Sequence, residues 1–382
     1  MHDAKIYKKP PNPQQGNKEN DMAIVQKETN NHVLPIRDSG KYMSRCLQIA
    51  QLAGGHVAPN PMVGAVLVCD DIIIGEGFHQ RFGEDHAEPN AIHSVTNCEL
   101  LKRSTLYVSL EPCSYYGKTP PCADLIVSCQ IPRVVIGTLD PNPKVSGRGV
   151  EILRKAGIEV VVGVMEEECR ELNKRFFIFQ EQKRPYVLLK WAQTQDGFID
   201  RVRTDHTEPP LQISNNITKQ LTHKMRSENQ SILVGANTVL LDNPSLNVRN
   251  WSGKSPVRIG IDRQGRIPEN FNLMDGSIQT FIFTEKDRDN KQKLEFIKIN
   301  FDTDSLTIIL HEIFRRNIHS VLVEGGASIL NSFIEAGLWD EANIEVSPQR
   351  ITTGVKAPLL SLQPVSRQSF EGHEWLFFKN LT

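Results

Sequence analysis

Three observations predict that this 382-residue chain is an α/β protein built from two layered domains. The length favours two units at roughly 150 residues each. From Lys41 onward, short apolar runs of strand length alternate with longer amphipathic segments of helical period. Near the middle, Gln182-Lys183-Arg184-Pro185 interrupts the alternation with a polar stretch ending on a proline, which disfavours helix continuation. The expected divisions are a flexible tail over 1–38, one domain over 39–183 and another over 184–382.

The tail is rich in Pro, Gln, Asn and Lys, a composition that buries too little surface to offset the entropy of ordering. In the first domain Met43, Leu47 and Ala50 share a helical face that Gly54-Gly55 closes. Val63–Cys69 and Ile72–Gly77 read as a strand pair turned at Asp70-Asp71. A helix over His86–Val95, a strand at Thr105–Leu110 and a Pro/Gly-rich loop over Glu111–Pro121 follow. Next come a helix over Cys122–Cys129, strands at Arg133–Gly137 and Ile158–Val164 around a helix near Gly149–Lys155, and one closing helix over Glu166–Gln180. In the second domain strands are expected at Tyr186–Ala192, Ser231–Gly235, Val257–Ile261, Thr280–Phe283, Ser320–Val323 and Asn343–Val346. Helices are expected near Thr218–Ser227, Leu306–Arg315 and Ala327–Ala336.

Composition narrows the function. Lys plus Arg (44) nearly cancels Asp plus Glu (45), whereas a dedicated nucleic-acid binder usually carries a basic excess. No apolar run is long enough to span a bilayer, and no apolar core follows the N-terminal lysines, so neither a membrane segment nor an ordinary secretory signal is expected. The seven cysteines are odd in number and irregularly spaced, and all lie in the first half. That argues for a reducing, cytoplasmic setting, with thiolate chemistry confined to the first domain.

The sharpest motif is His86-Ala87-Glu88, followed by Pro112-Cys113 and then Cys122. One imidazole and two thiolates suit zinc, with the fourth tetrahedral position left to water. Glu88, two residues past the histidine, is placed to shuttle a proton from that water to a departing amine. The helix N-terminus at Cys122 is expected to favour the thiolate there. A closed structural zinc site would need a fourth ligand at finger-like spacing, and it leaves Glu88 without a role. A pair of ordinary buried thiols would leave the whole pattern unexplained. The order is that of zinc deaminases, with a longer insert between the cysteines.

Pro59-Asn60-Pro61-Met62-Val63-Gly64, His86-Ala87-Glu88 and the run from Glu111-Pro112-Cys113 through Pro121-Cys122-Ala123-Asp124 closely resemble the bifunctional riboflavin-biosynthesis deaminase/reductase family. Asp140-Pro141-Asn142-Pro143 and Gly147-Arg148-Gly149 are similar to it as well. The resemblance implies a cytidine-deaminase-like three-layer domain, followed by a dihydrofolate-reductase-like α/β domain. The first would remove a ring amine from a diaminopyrimidinone carrying a ribosylamino phosphate; the second would use NADPH to reduce the ribosyl to a ribityl chain. It implies His86, Cys113 and Cys122 as zinc ligands, Glu88 as the proton shuttle, and Asn60, His79 and Lys118 as contacts to pyrimidine or phosphate. Tyr115 stands where the family often has histidine.

In the second domain Glu324-Gly325-Gly326 follows a strand and opens a helix, a turn that lets backbone N–H groups approach a diphosphate. The resemblance places Glu324, Arg226, Leu246 and Arg249 at the substrate. It places Ala192, Gln212, Thr238, Asp242, Gly325 and Gly326 at NADPH. Guanidinium groups suit a phosphate monoester, which they can bind bidentately. The segment Pro210-Leu211-Gln212-Ile213-Ser214 departs from the family's Ser-x-Trp-Ile-Thr/Ser, and Asn247 replaces a threonine. Proline has no hydroxyl, and glutamine lacks the indole's stacking surface. Three other readings therefore stay open: an active deaminase with a weak or inactive reductase half, a nucleic-acid-editing deaminase, and a non-catalytic zinc-stabilised protein. The leading reading implies a small phosphorylated pyrimidine as partner and no nucleic acid or membrane, and it is compatible with a homo-oligomer.

Overall fold

The computed structural model describes residues 36–54, 57–115, 120–142, 145–302 and 304–380. The expected tail over 1–38 lies almost wholly outside them. The first helix, α1 (Ile36–Gln51), takes in the last three residues of the expected tail.

A five-stranded sheet follows: β1 (Gly64–Cys69), β2 (Ile72–Phe78), β3 (Thr105–Leu110), β4 (Arg133–Thr138) and β5 (Glu159–Val162), in the order β2-β1-β3-β4-β5. The left-handed Asp70 and Asp71 turn β1 into β2. β1 is antiparallel to both neighbours, and β3, β4 and β5 are parallel. Alternate side chains on these strands go to opposite faces. Ala65, Leu67, Leu106 and Val108 face a core shared with α2 (Ala87–His93), α3 (Cys122–Ser128) and α4 (Arg148–Lys155). Tyr107 goes the other way and meets Tyr42 of α1, with ring centroids 5.0 Å apart. Helices on both faces of one sheet make three layers.

The single closing helix expected over Glu166–Gln180 is instead two helices, α5 (Glu166–Leu172) and α6 (Lys174–Gln182), broken at Asn173. The Asn173 side chain accepts from Met62 N and donates to Met62 O, both at 2.8 Å. It thereby anchors the Pro59–Val63 loop. A break in periodicity carries no sequence signal when its cause lies 111 residues away.

The second sheet has nine strands. Its parallel part comprises β6 (Tyr186–Thr194), β8 (Ser231–Gly235), β9 (Val257–Ile261), β10 (Thr280–Thr284), β11 (Leu294–Lys298), β12 (Ser320–Val323) and β13 (Glu341–Ser347). A short β7 (Phe198–Asp200) pairs separately with β14 (Val355–Lys356), and the antiparallel hairpin β15 (Ser366–Phe370)/β16 (His373–Lys379) closes the edge. The order is β11-β10-β9-β8-β12-β6-β13-β16-β15. Helices α7 (Asn216–Glu228), α8 (Ala236–Asp242), α9 (Ser305–Arg315) and α10 (Ala327–Glu335) cover the faces. Strand β6 is apolar in both registers: Val187, Leu189 and Trp191 enter one core, Tyr186 and Leu188 the other. The sequence reading did not find α8, β7, β11, β14 or the final hairpin. In the hairpin this is because Ser366–Phe370 is largely exposed and carries no apolar alternation.

Between β8 and β12 the chain reverses its direction of travel across the sheet, and in open α/β sheets ligands sit outside the carboxyl ends of strands at such a point. Among the described residues no helix is long and apolar enough to cross a membrane.

Helix α2 packs directly on β2. A Cβ added to Gly77 would lie 2.3 Å from Ala91 N and 2.6 Å from Asn90 C, both helix backbone. Gly77→Ala is therefore expected to push α2 outward at a cost of about 1–3 kcal/mol. A thermal melt should show the midpoint falling by about 2–4 °C per kcal/mol.

Candidate functional site

Three segments meet at the carboxyl end of the first sheet. His86 caps the N-terminus of α2, Cys113 follows β3, and Cys122 is the first residue of α3. Their ligand atoms all lie within 4.8 Å of one another. His86 Nδ1 is 3.6 Å from Cys113 Sγ and 3.4 Å from Cys122 Sγ. The donor set also asks for a cation. The Cys122 thiol donating to Cys113 and the neighbouring imidazole hold the Cys113 thiol well below its usual range, and the hydrogen bond to that sulfur raises the His86 pKa. One imidazole and two thiols converging at this distance fit a zinc ion.

The helix N-terminus acts differently from expectation. It is expected to favour thiolate at Cys122, yet the Cys122 backbone N–H donates to Cys113 Sγ at 3.3 Å. A residue at the first helical position cannot receive its own amide, so the stabilisation goes to the sulfur opposite.

Glu88 sits in the first turn of α2 and is buried. Burial, reinforced by the Cys113 charge, pushes its carboxyl up to about 7. The cavity in front of it, about 380 Å³, is lined by Asn60, His79, His86, Cys113 and Tyr115 among others. His79 lies buried edge-on to His86, with centroids 5.4 Å apart, and burial lowers its pKa. His79 Nδ1 is 3.0 Å from the Asp85 carbonyl and must carry the proton there. Its Nε2 then accepts from Asn60 Nδ2 at 3.1 Å, which turns the Asn60 carbonyl oxygen to other partners. Lys118 lies outside the described residues.

Sequence reasoning passed over Glu111, which organises this site's floor. One carboxylate oxygen accepts from the amides of Asp140 (3.2 Å) and Gly147 (3.0 Å), the other from those of Gly149 (2.9 Å) and Val150 (3.3 Å). It thus caps α4 and ties Asp140, which lines the cavity with Asn142, to the Cys113 segment. The available signal was a glutamate directly after an apolar strand and two residues before a ligand.

The second sheet opens onto a larger cleft of about 650 Å³ at the β8/β12 reversal. It is lined by Ala192, Gln212, Thr238, Asp242, Gly326, Arg226, Arg249 and Glu324, whereas Leu246 is buried in the core and Gly325 packs against β8. A Cβ on Gly325 would come within 2.7 Å of Val234 Cα, and one on Gly326, whose φ is +45°, within 3.0 Å of Thr238 Oγ1. Only glycines permit this turn, which leaves the start of α10 open to a dinucleotide diphosphate.

The polar groups here are already paired. Arg226 holds Glu324 in a bidentate ion pair, Nε–Oε1 2.8 Å and Nη2–Oε2 2.6 Å. Burial opposes the Glu324 charge, but Arg226 keeps the carboxyl below its usual range. The Arg226 fork, expected to be free for a phosphate, is therefore occupied, while Arg249 is exposed at the rim, steadied by Asn247 Oδ1 at 2.9 Å. Asp242 pairs with Arg203, which also holds Asp200. Gln212 accepts from Lys219 at 3.1 Å. Ser214 donates to the buried Glu345 at 2.6 Å, and His373 of the final hairpin pairs with the same carboxylate at 2.8 Å. Lys190 of β6 lines the same cleft. It is buried near Glu324, Glu345 and Arg226, and burial lowers its pKa. A lysine inside an apolar strand was its signal.

Known proteins supply the comparison. Residues 36–138 match the cytidine and deoxycytidylate deaminase zinc-binding region, and residues 185–367 match the RibD C-terminal domain. The chain is 39% identical over 336 residues to the riboflavin biosynthesis protein RibD of Aquifex aeolicus, covering 86% of this chain and 93% of that one. It is 42% identical over 328 residues to RibD of Bacillus amyloliquefaciens, covering 84% and 86%. It also resembles the solved diaminohydroxyphosphoribosylaminopyrimidine deaminase/5-amino-6-(5-phosphoribosylamino)uracil reductase of Thermotoga maritima. That likeness has a TM-score of 0.79 at 37% identity, over 90% of this chain and 99% of the other.

Glu111→Gln would turn an NH₂ group toward backbone N–H donors. The expected outcome is a loss of about 1–3 kcal/mol in thermal unfolding. Chelator competition should also show zinc released more readily, because the Cys113 segment loses its tie.

Proposed function

This chain belongs to the RibD family of riboflavin-biosynthesis deaminase/reductases, and from that membership we propose how its residues divide the two steps. It is a bifunctional enzyme with a zinc-dependent pyrimidine deaminase half and an NADPH-dependent reductase half. The substrate is 2,5-diamino-6-(5-phosphoribosylamino)pyrimidin-4-one, which is deaminated hydrolytically before its ribosyl group is reduced to ribityl. The observation that carries the first step is the buried Glu88 beside the convergence of His86, Cys113 and Cys122.

Zinc held by these three side chains supplies a Lewis acid that makes water nucleophilic near neutral pH. Glu88 takes the proton from the attacking water and returns it to the departing amine. The Asn60 carbonyl oxygen, turned outward by the His79 contact, accepts from an N–H edge of the pyrimidine ring. Lys118 is assigned to the substrate by family resemblance.

In the second step NADPH supplies hydride. Gly325 shapes the turn, and the amides from Gly326 into α10 receive the diphosphate, with Thr238 across the turn. Ala192 and Gln212 border the cofactor, and Asp242, held by Arg203, fixes the loop beside it. Arg249 takes the substrate phosphate at the rim, and the Leu246 segment backs it. Arg226 holds Glu324 in place toward the substrate, and Lys190 next to Glu324 provides the proton that accompanies hydride transfer. The proposed division into domains runs between α6 and β6. Relatives that match both halves at these identities weigh against a nucleic-acid-editing enzyme or a merely structural protein. The near-balanced charge and seven cysteines outside any disulfide support a small phosphorylated substrate and a reducing cytoplasm.

Incubation with the diaminopyrimidine phosphate, adding NADPH only after the first product appears, tests both steps by mass. A gain of about one unit reports amine-to-oxo exchange and two further units report reduction; absence of the first change refutes the assignment. Glu88→Gln should lower deamination by about 10²–10⁴-fold, with zinc retained by elemental analysis. Unchanged turnover would remove Glu88 from the mechanism. Gln212→Trp is expected to tighten NADPH binding, read as a lower KM for the cofactor, by restoring an aromatic face.

A further inference from the structure

The deaminase cavity is not made by the first sheet alone. Besides Glu88, His86 and Asn60, its lining includes Phe176 and Gln180 of α6, and Asn317 and His319 from the turn that leads from α9 into β12. Those last two belong to the reductase half. They are held there by α6, the helix that leads from one half to the other. Phe179 stacks on His319 with centroids 3.7 Å apart and planes at 16°, and it also meets Phe314 at 4.5 Å. The His319 carbonyl accepts from Tyr186 N at 2.9 Å, where β6 begins.

We propose that Asn317 and His319 complete the deaminase pocket from the reductase half and bind the ribose hydroxyls of the deaminase substrate, so that one half sets the other's substrate preference. The inference rests on the function proposed above. A pyrimidine whose ring sits at Glu88 must lay its phosphoribosylamino arm along the rest of the same cavity. The chemistry there suits hydroxyls. His319 Nε2 is 3.1 Å from Asn317 Oδ1, which can only accept, so Nε2 carries the proton and Nδ1 is an acceptor. Burial pushes the ring's pKa down to about 4, so it meets a ligand as a neutral group near pH 7. The Asn317 amide nitrogen brings two donors. Neutral donors and acceptors match sugar hydroxyls, whereas a phosphate calls for cations, and among the described residues lining the cavity there is no lysine or arginine.

Two variants separate binding from folding. Asn317 has φ +57°, so Asn317→Gly removes the amide without backbone strain. His319→Phe keeps an aromatic ring against Phe179 and removes both ring nitrogens. Each is measured as holoenzyme, with zinc content and melting midpoint recorded. The two substrates are the phosphoribosylated diaminopyrimidinone and 2,5,6-triaminopyrimidin-4-one, which lacks the arm. The expected result is a rise of about five- to tenfold in KM for the phosphoribosylated substrate, the effect of one lost hydrogen bond. The KM should change more than kcat, with a matching loss of preference over the armless base. Wild-type KM and preference in both zinc-replete variants would overturn the inference. A wild-type enzyme that deaminates neither substrate would overturn the proposed function as well, which distinguishes the two failures.

Discussion

Two sulfurs, an imidazole and a buried carboxyl crowded into one corner of a sheet form an arrangement that electrostatics permits only around positive charge. Burial, and then the Cys113 charge, raise the Glu88 pKa in a region shielded from water. Much of the first sheet's architecture serves to keep that corner closed. Gly77 lets α2 settle on β2, and Glu111 binds the loop behind Cys113. Asn173 breaks a helix to grip the Met62 backbone under Asn60.

The reductase cleft solves a similar problem by pairing. Arg226 and Glu324 neutralise each other below the sheet's carboxyl ends, and Lys190 lies between two buried acids. Buried pairs of this kind contribute little net stability, because desolvation offsets much of their attraction. Their value is orientation: a Glu324 fixed by a guanidinium fork has one direction in which to face a substrate. The same pairing changes which arginine is available to a phosphate. Arg226 is spent internally, and Arg249 at the rim remains.

The two halves are linked through more than a peptide. Helix α6 packs its Phe179 against His319, and the cavity facing Glu88 draws wall residues from both sides of the junction. In a bifunctional enzyme whose first product is the second half's substrate, a shared wall ties the shape of one site to the packing of the other half.

The sequence by itself determined the alternation of strands and helices, the apolar registers of β1, β3, β6 and β12, and the order His86, Glu88, Cys113, Cys122. These are legible because periodicity and ligand chemistry are local properties of the chain. The Glu-Gly-Gly turn was readable for the same reason, since a strained backbone needs glycine whatever surrounds it. Only the tertiary structure decided that the helix N-terminus at Cys122 serves Cys113, that Arg226 is consumed by Glu324, and that Asn173 interrupts a helix. It also decided that Asn317 and His319 reach the other half's pocket. Each of these depends on a partner at least nine residues away and usually dozens, and a side chain's periodicity records which face it occupies but not which distant group it meets there.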